Sequence, residues 1–104
     1  MELKMKLGIL VNTDKCFEDV VGITKEALLR GHEVSIFAMD AGTRFLEEPE
    51  YSGLCRLKSV RMAFCDHSAK QENVETASVP AEITRGSQFD NAVMSNESDV
   101  VIVL

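Results

Sequence analysis

Alternating strand and helix patterns over residues 1–104 predict a single α/β domain, a three-layer α/β/α arrangement around a parallel sheet of about five strands. Two observations carry this expectation. Runs at 4–11, 34–39, 60–64 and 100–104 are apolar at nearly every position, as strands covered on both faces are. Between them, apolar residues recur every three or four positions, and the links are short, so right-handed crossovers should place helices on both faces.

The first run, 4–11, ends in the turn-prone Asn12-Thr13-Asp14 and reads as a buried strand. Phe17, Val20, Val21, Thr24, Ala27 and Leu28 then share one helical face. Asp14 or Thr13 is expected to cap that helix, and Gly31 to end it in the left-handed region. Residues 34–39 form the second strand. Residues 40–58 suggest a broken helix interrupted at Pro49 and Gly53. Residues 60–64 are the third strand and 66–74 a short helix. Residues 79–83 are expected to give a brief fourth strand, limited by Pro80 to an edge or a strand start. Ser87 caps a helix to about Asn96 with Phe89, Val93 and Met94 facing inward, and 100–104 is a final buried strand.

Composition narrows the function classes. Seventeen acidic against eleven basic residues give a net charge of -6, which argues against a nucleic-acid or anionic-membrane surface. No stretch approaches the ~20 apolar residues of a membrane span, and the run behind the N-terminus is too short for a signal peptide. Three cysteines, an odd number without a C-x-x-C pair, are expected as reduced thiols in a cytoplasmic protein.

In parallel sheets, ligands gather beyond the carboxyl ends of the strands, here loops 12–16, 40–44, 65–68 and 83–87. Cys65 closes the third strand in MAFCDHSA, where helix amides favour thiolate. The His67 imidazolium, if turned inward, and Ser68 could support a sulfur anion, whereas the adjacent Asp66 carboxylate should raise the thiol pKa. The bland alternative is a small buried hydrophobe at a strand end. Cys16, in the first strand–helix loop, is either a resolving thiol for Cys65 or a small helix-start residue. Cys55 reads as packing, and His32 as a cation at a helix end. Asn12, Cys16, Gly42 and Arg85 could line a site for a small anion. No dinucleotide, P-loop or zinc-protease motif is present.

With these residues placed, the chain resembles the DsrE/DsrF-like family of small sulfur-relay proteins, which includes TusD- and YchN-like members. The likeness lies in MKLGILVNTD, in LLRGHEVSIFAMDAGTRFL, in the lone cysteine of CDHSA, and in RGSQFDNAV followed by ESDVVIVL. It implies a flavodoxin-related parallel sheet and a homo-oligomer (dimer, trimer or hexamer). It also implies a cysteine that carries sulfur as persulfide between a donor and an acceptor protein, with no metal or organic cofactor required. Cys65 alone matches that position. Ile23 and a Met-rich surface are then candidates for subunit contact. The alternative is a non-enzymatic oligomeric module that binds a small anion at the carboxyl edge of the sheet.

Overall fold

A computed structural model describes residues 3–104. Its elements are β1 (Lys6–Val11), α1 (Phe17–Leu29), β2 (Glu33–Ala38), a 3₁₀ segment (Asp40–Glu47), α2 (Pro49–Ser52), a second 3₁₀ turn (Gly53–Arg56), β3 (Val60–Cys65), α3 (Asp66–Gln71), β4 (Thr84–Gly86), α4 (Gln88–Glu97) and β5 (Val100–Val103). The strands form one five-stranded sheet in the order β4-β3-β2-β1-β5, parallel at every pairing.

That order fixes the layers. From β1 to β4 the chain steps one way across the sheet, so right-handed crossovers put α1, α2 and α3 on one face; the return from β4 to β5 places α4 on the other. Alternation within the strands separates two clusters. Ile9, Val11, Val34, Ile36, Met62 and Phe64 point to the α1 side and pack with Val20, Val21, Ala27, Tyr51 and Ala69 in the main core. Phe37 and Cys65 point the other way and meet Met94 of α4 in a small separate cluster.

The element order follows the sequence reading, with local corrections. The fourth strand is not at 79–83 but at Thr84–Gly86. Val79 and Ile83 instead donate backbone hydrogen bonds to Thr76 and Pro80, two successive turns in which Pro80 needs no donor. Pro49 begins α2 rather than breaking a helix. Neither Thr13 nor Asp14 caps α1; Cys16 stands at that position without a side-chain bond. Gly31 does end the helix with a positive φ.

Phe89 and Val93 face outward, and only Met94 of α4 is buried. Residues 100–103 form an edge strand with Val100, Val101 and Val103 exposed, because α4 and α1 do not reach over it fully. Ile23 is partly buried against the main core, and among the described methionines Met62 and Met94 are buried, Met39 is partly buried and Met5 is exposed. His32 Nδ1 accepts the Met5 amide at 3.0 Å, which ties the loop after α1 to the approach to β1.

Three buried side-chain oxygens among the described residues have no hydrogen-bond partner, those of Thr24, Tyr51 and Asn91, and the Tyr51 hydroxyl is the one set deepest among aromatic rings. Tyr51 is fully buried, its hydroxyl has no partner, and burial pushes the phenol well above its usual pKa. Its ring packs on Phe45, which meets Phe17 edge-on. Removing the hydroxyl keeps these ring contacts and deletes an unsatisfied polar atom. Tyr51→Phe should therefore raise the urea unfolding midpoint, by about 1 kcal/mol of stability at constant slope. A lowered midpoint would mean the hydroxyl has a partner in solution.

Candidate functional site

Cys65 ends β3 opposite Gly86 of β4, and strand alternation turns its side chain toward α4, away from its neighbour Phe64 in the main core. The thiol is 6% exposed. It also occupies the N-cap of α3, where Sγ accepts the Ser68 amide at 3.5 Å. The Ser68 hydroxyl, the His67 amide and the Gln88 side chain bear on the same sulfur.

These groups oppose one another. Burial is the largest single influence on the thiol and raises its pKa; the Ser68 hydroxyl, the Ser68 amide, Gln88 and the His67 amide each lower it. Together they prevail, and the Cys65 pKa lies below the usual thiol value. Cys55 lacks such donors: burial, with the Glu82 charge, raises its thiol pKa against the smaller effect of Arg56. Of these two thiols, only Cys65 has its anion stabilised.

Asp66 does not act as its sequence position suggests. Its carboxylate bonds Arg85 and Lys70, the latter at 3.1 Å. The Lys70 bond, aided by Arg85 against some desolvation, holds the Asp66 pKa below the usual carboxylate range. Its charge is thus balanced beside Cys65 and does not oppose the thiolate. Arg85 is committed too, with its guanidinium on Asp66 and 5.5 Å above the Phe64 ring.

By sequence, no family model and no curated protein matches the chain. By structure, it is similar to the crystal structure of the ychN protein from E. coli, with a TM-score of 0.69 and 10% identity, over 98% of this chain and 100% of that one. The fold is DsrE-like, of the YchN type.

Within this YchN-type fold, the other residues singled out from the sequence divide into two groups. Ser68 is buried against Cys65. His67 contributes its amide, while its residue surface is exposed. Asn12, Cys16 and Gly42 lie toward β1, on the far side of β2. The Asn12 amide bonds the Leu104 carbonyl at 2.9 Å, and the Gly42 amide bonds the Met39 carbonyl at 2.9 Å. Arg85 is paired to Asp66, so of the groups offered for an anion the Asn12 and Gly42 backbone amides and the Arg85 guanidinium are engaged inside the chain, while Cys16 makes no side-chain bond at the start of α1.

The three cysteines are free, with no disulfide among them, and β2 lies between the strands that lead into Cys16 and Cys65. Cys16 also begins α1, on the face opposite Cys65.

Two residues escape sequence reasoning. Met39, just past β2, joins the Cys65 cluster, and Gln88, first in α4, donates to Met39 Sδ at 3.7 Å. Neither belongs to a local motif. Only the parallel register, which sets the ends of β2, β3 and β4 side by side, brings them to the thiol. Among the described residues, no helix is long and apolar enough to cross a membrane, and no cluster of His, Cys, Asp and Glu is arranged to hold a metal ion.

Proposed function

We propose that this DsrE-like chain is a cytoplasmic sulfur carrier that works through Cys65. The observation that carries the reading is the set of donors around Sγ, which outweighs burial and stabilises the thiolate. In the exchange, the Cys65 thiolate attacks the outer sulfur of a donor persulfide. A new S–S bond forms at Cys65, the donor's S–S bond breaks, and the donor leaves as a thiolate. An acceptor thiolate then attacks the outer sulfur and releases Cys65 as thiolate. No net oxidation occurs, so the exchange balances without a metal or organic cofactor.

Assembly with further copies belongs to the same reading. Phe89 and Val93 of α4, the helix whose Met94 joins the Cys65 cluster, and Val101 and Val103 of the edge strand β5 are exposed. Covering them with another subunit would bury apolar surface without closing the main core. The anion-binding alternative is weaker, because the backbone amides of Asn12, Gly42 and Ser68 and the Arg85 guanidinium have partners within the chain.

The decisive experiment is intact-protein mass spectrometry after incubation with a persulfide donor. One added sulfur, ~32 Da, is expected on Cys65, retained in Cys16→Ser and absent in Cys65→Ser. A wild-type chain that gains no sulfur under conditions that modify a small thiol would rule out the carrier role.

A further inference from the structure

The start of α4 holds a donor that the fold does not need. Gly86 is level with Cys65 across β3–β4, and Gln88, two residues on, reaches Met39 of the Cys65 cluster and is among the side chains that lower the thiol pKa. Its amide orientation is set from behind, since Asn91 Nδ2 donates to Gln88 Oε1 at 3.2 Å. That bond turns the amide nitrogen toward the sulfurs, where it donates to Met39 Sδ at 3.7 Å. The nitrogen carries two hydrogens, and a thioether is among the weakest acceptors in proteins. One donor is therefore held on a partner that a sulfur anion would readily replace.

The charged groups on the neighbouring elements are engaged elsewhere: Asp66 holds both Lys70 and Arg85, and Asp90 accepts the Ser87 amide in the capping box of α4, while His67 bears on the thiol through its backbone amide. The Ser68 and His67 donors lie within the turn that Cys65 begins, close to Sγ itself. The outer sulfur of a Cys65 persulfide extends about 2 Å past Sγ. Reaching it calls for a longer arm from a different element, and Gln88 is such an arm.

We infer that Gln88 is the positioning residue for the transferred sulfur: one N–H serves Cys65 Sγ, and the other leaves Met39 Sδ for the outer sulfur once Cys65 is loaded. This inference rests on the carrier reading for the loaded state, but its first half concerns the free thiol and can be tested alone. Holding the outer sulfur fixes the direction from which an acceptor thiolate attacks. It also spreads the negative charge of the persulfide over a neutral donor, which strengthens the bond as charge develops.

The test uses a Cys16→Ser, Cys55→Ser background, so that alkylation by iodoacetamide reads Cys65 only, followed as a function of pH. Gln88→Ala and Gln88→Glu should move the profile to higher pH and slow alkylation at neutral pH about threefold to tenfold, Gln88→Glu the more because it replaces donors with a charge. Thermal midpoints should stay near the parent's, as Gln88 is exposed. Release of sulfur from loaded Cys65 to a small thiol should slow in both Gln88 variants. Unchanged pH profiles and release rates in both would overturn the inference while leaving sulfur loading intact. A parent that never takes up sulfur would defeat the carrier reading, yet the alkylation profiles would still decide whether Gln88 serves the thiol.

Discussion

Replacing Phe37 by alanine is expected to cost about 3–5 kcal/mol of stability and, at the same time, to speed modification of Cys65. Phe37 is 1% exposed and is the largest member of the cluster it forms with Cys65 and Met94. No other fully buried aromatic lies on that face; Tyr51 and Phe64 belong to the main core. Loss of the ring leaves a cavity beneath α4, where Met94 is the one buried residue anchoring the helix. Urea denaturation would measure the first effect, and iodoacetamide alkylation in the Cys16→Ser, Cys55→Ser background the second. A large stability loss with an unchanged alkylation rate would mean that α4 keeps its cover over the thiol without Phe37.

Gly42→Ala should also be severe, at about 3 kcal/mol or more, for a different reason. A Cβ at this position would lie 2.2 Å from the Val11 carbonyl oxygen and 2.9 Å from its Cγ1. Neither can move away cheaply. Val11 is fully buried in the core, and its carbonyl accepts the Met39 amide at 2.8 Å. The 3₁₀ segment would have to lift from the end of β1, taking with it the turn that positions Met39. Gly22→Ala is the matched control. In the exposed middle of α1, with nothing within 4 Å of the added carbon, it should stabilise by roughly 0.5–1 kcal/mol. Thermal unfolding of the two variants should shift in opposite directions; a fall in both would point to a role for Gly22 in solution.

What the sequence discloses depends on whether the signal is local. The helix over Phe17–Leu29 and the strands at 6–11, 33–38 and 60–65 were legible because their apolar spacing is dictated by burial. β4 was not, because Thr84-Arg85-Gly86 carries no apolar alternation and is a strand only through pairing with β3. The nearby Val79 and Ile83 drew the expectation two turns too early. Continuous apolar character misled at β5, where Val-Val-Ile-Val looks doubly covered but sits at the sheet edge. Phe89 and Val93 misled for a related reason: α4 crosses a sheet whose second face has only this one helix upon it.

The site divides along the same line. Cys65 and Ser68 could be placed from a strand end followed by a turn, since one residue's cap reaches the next within the segment. The chemical sign of Asp66 could not, because it depends on Arg85, nineteen residues away. Gln88 and Met39 depend on three strands ending level, a fact of register that no window of sequence contains.

The division of the interior into a large cluster and a cluster of three has a consequence for how the protein breathes. A cleft of about 150 Å³ between α4 and the sheet, lined in part by Phe37, Ala63, Val93 and Met94, keeps that helix from packing flush. Cooperative opening units follow such seams, and their free energies need not match that of the whole molecule. Amide hydrogens of α4 should therefore exchange with solvent deuterium well before those of β1, β2 and β3. Stabilising the α1 side would then slow global unfolding while leaving the lifetime of the covered thiol almost untouched, so the durability of the protein and the availability of its sulfur could be tuned separately.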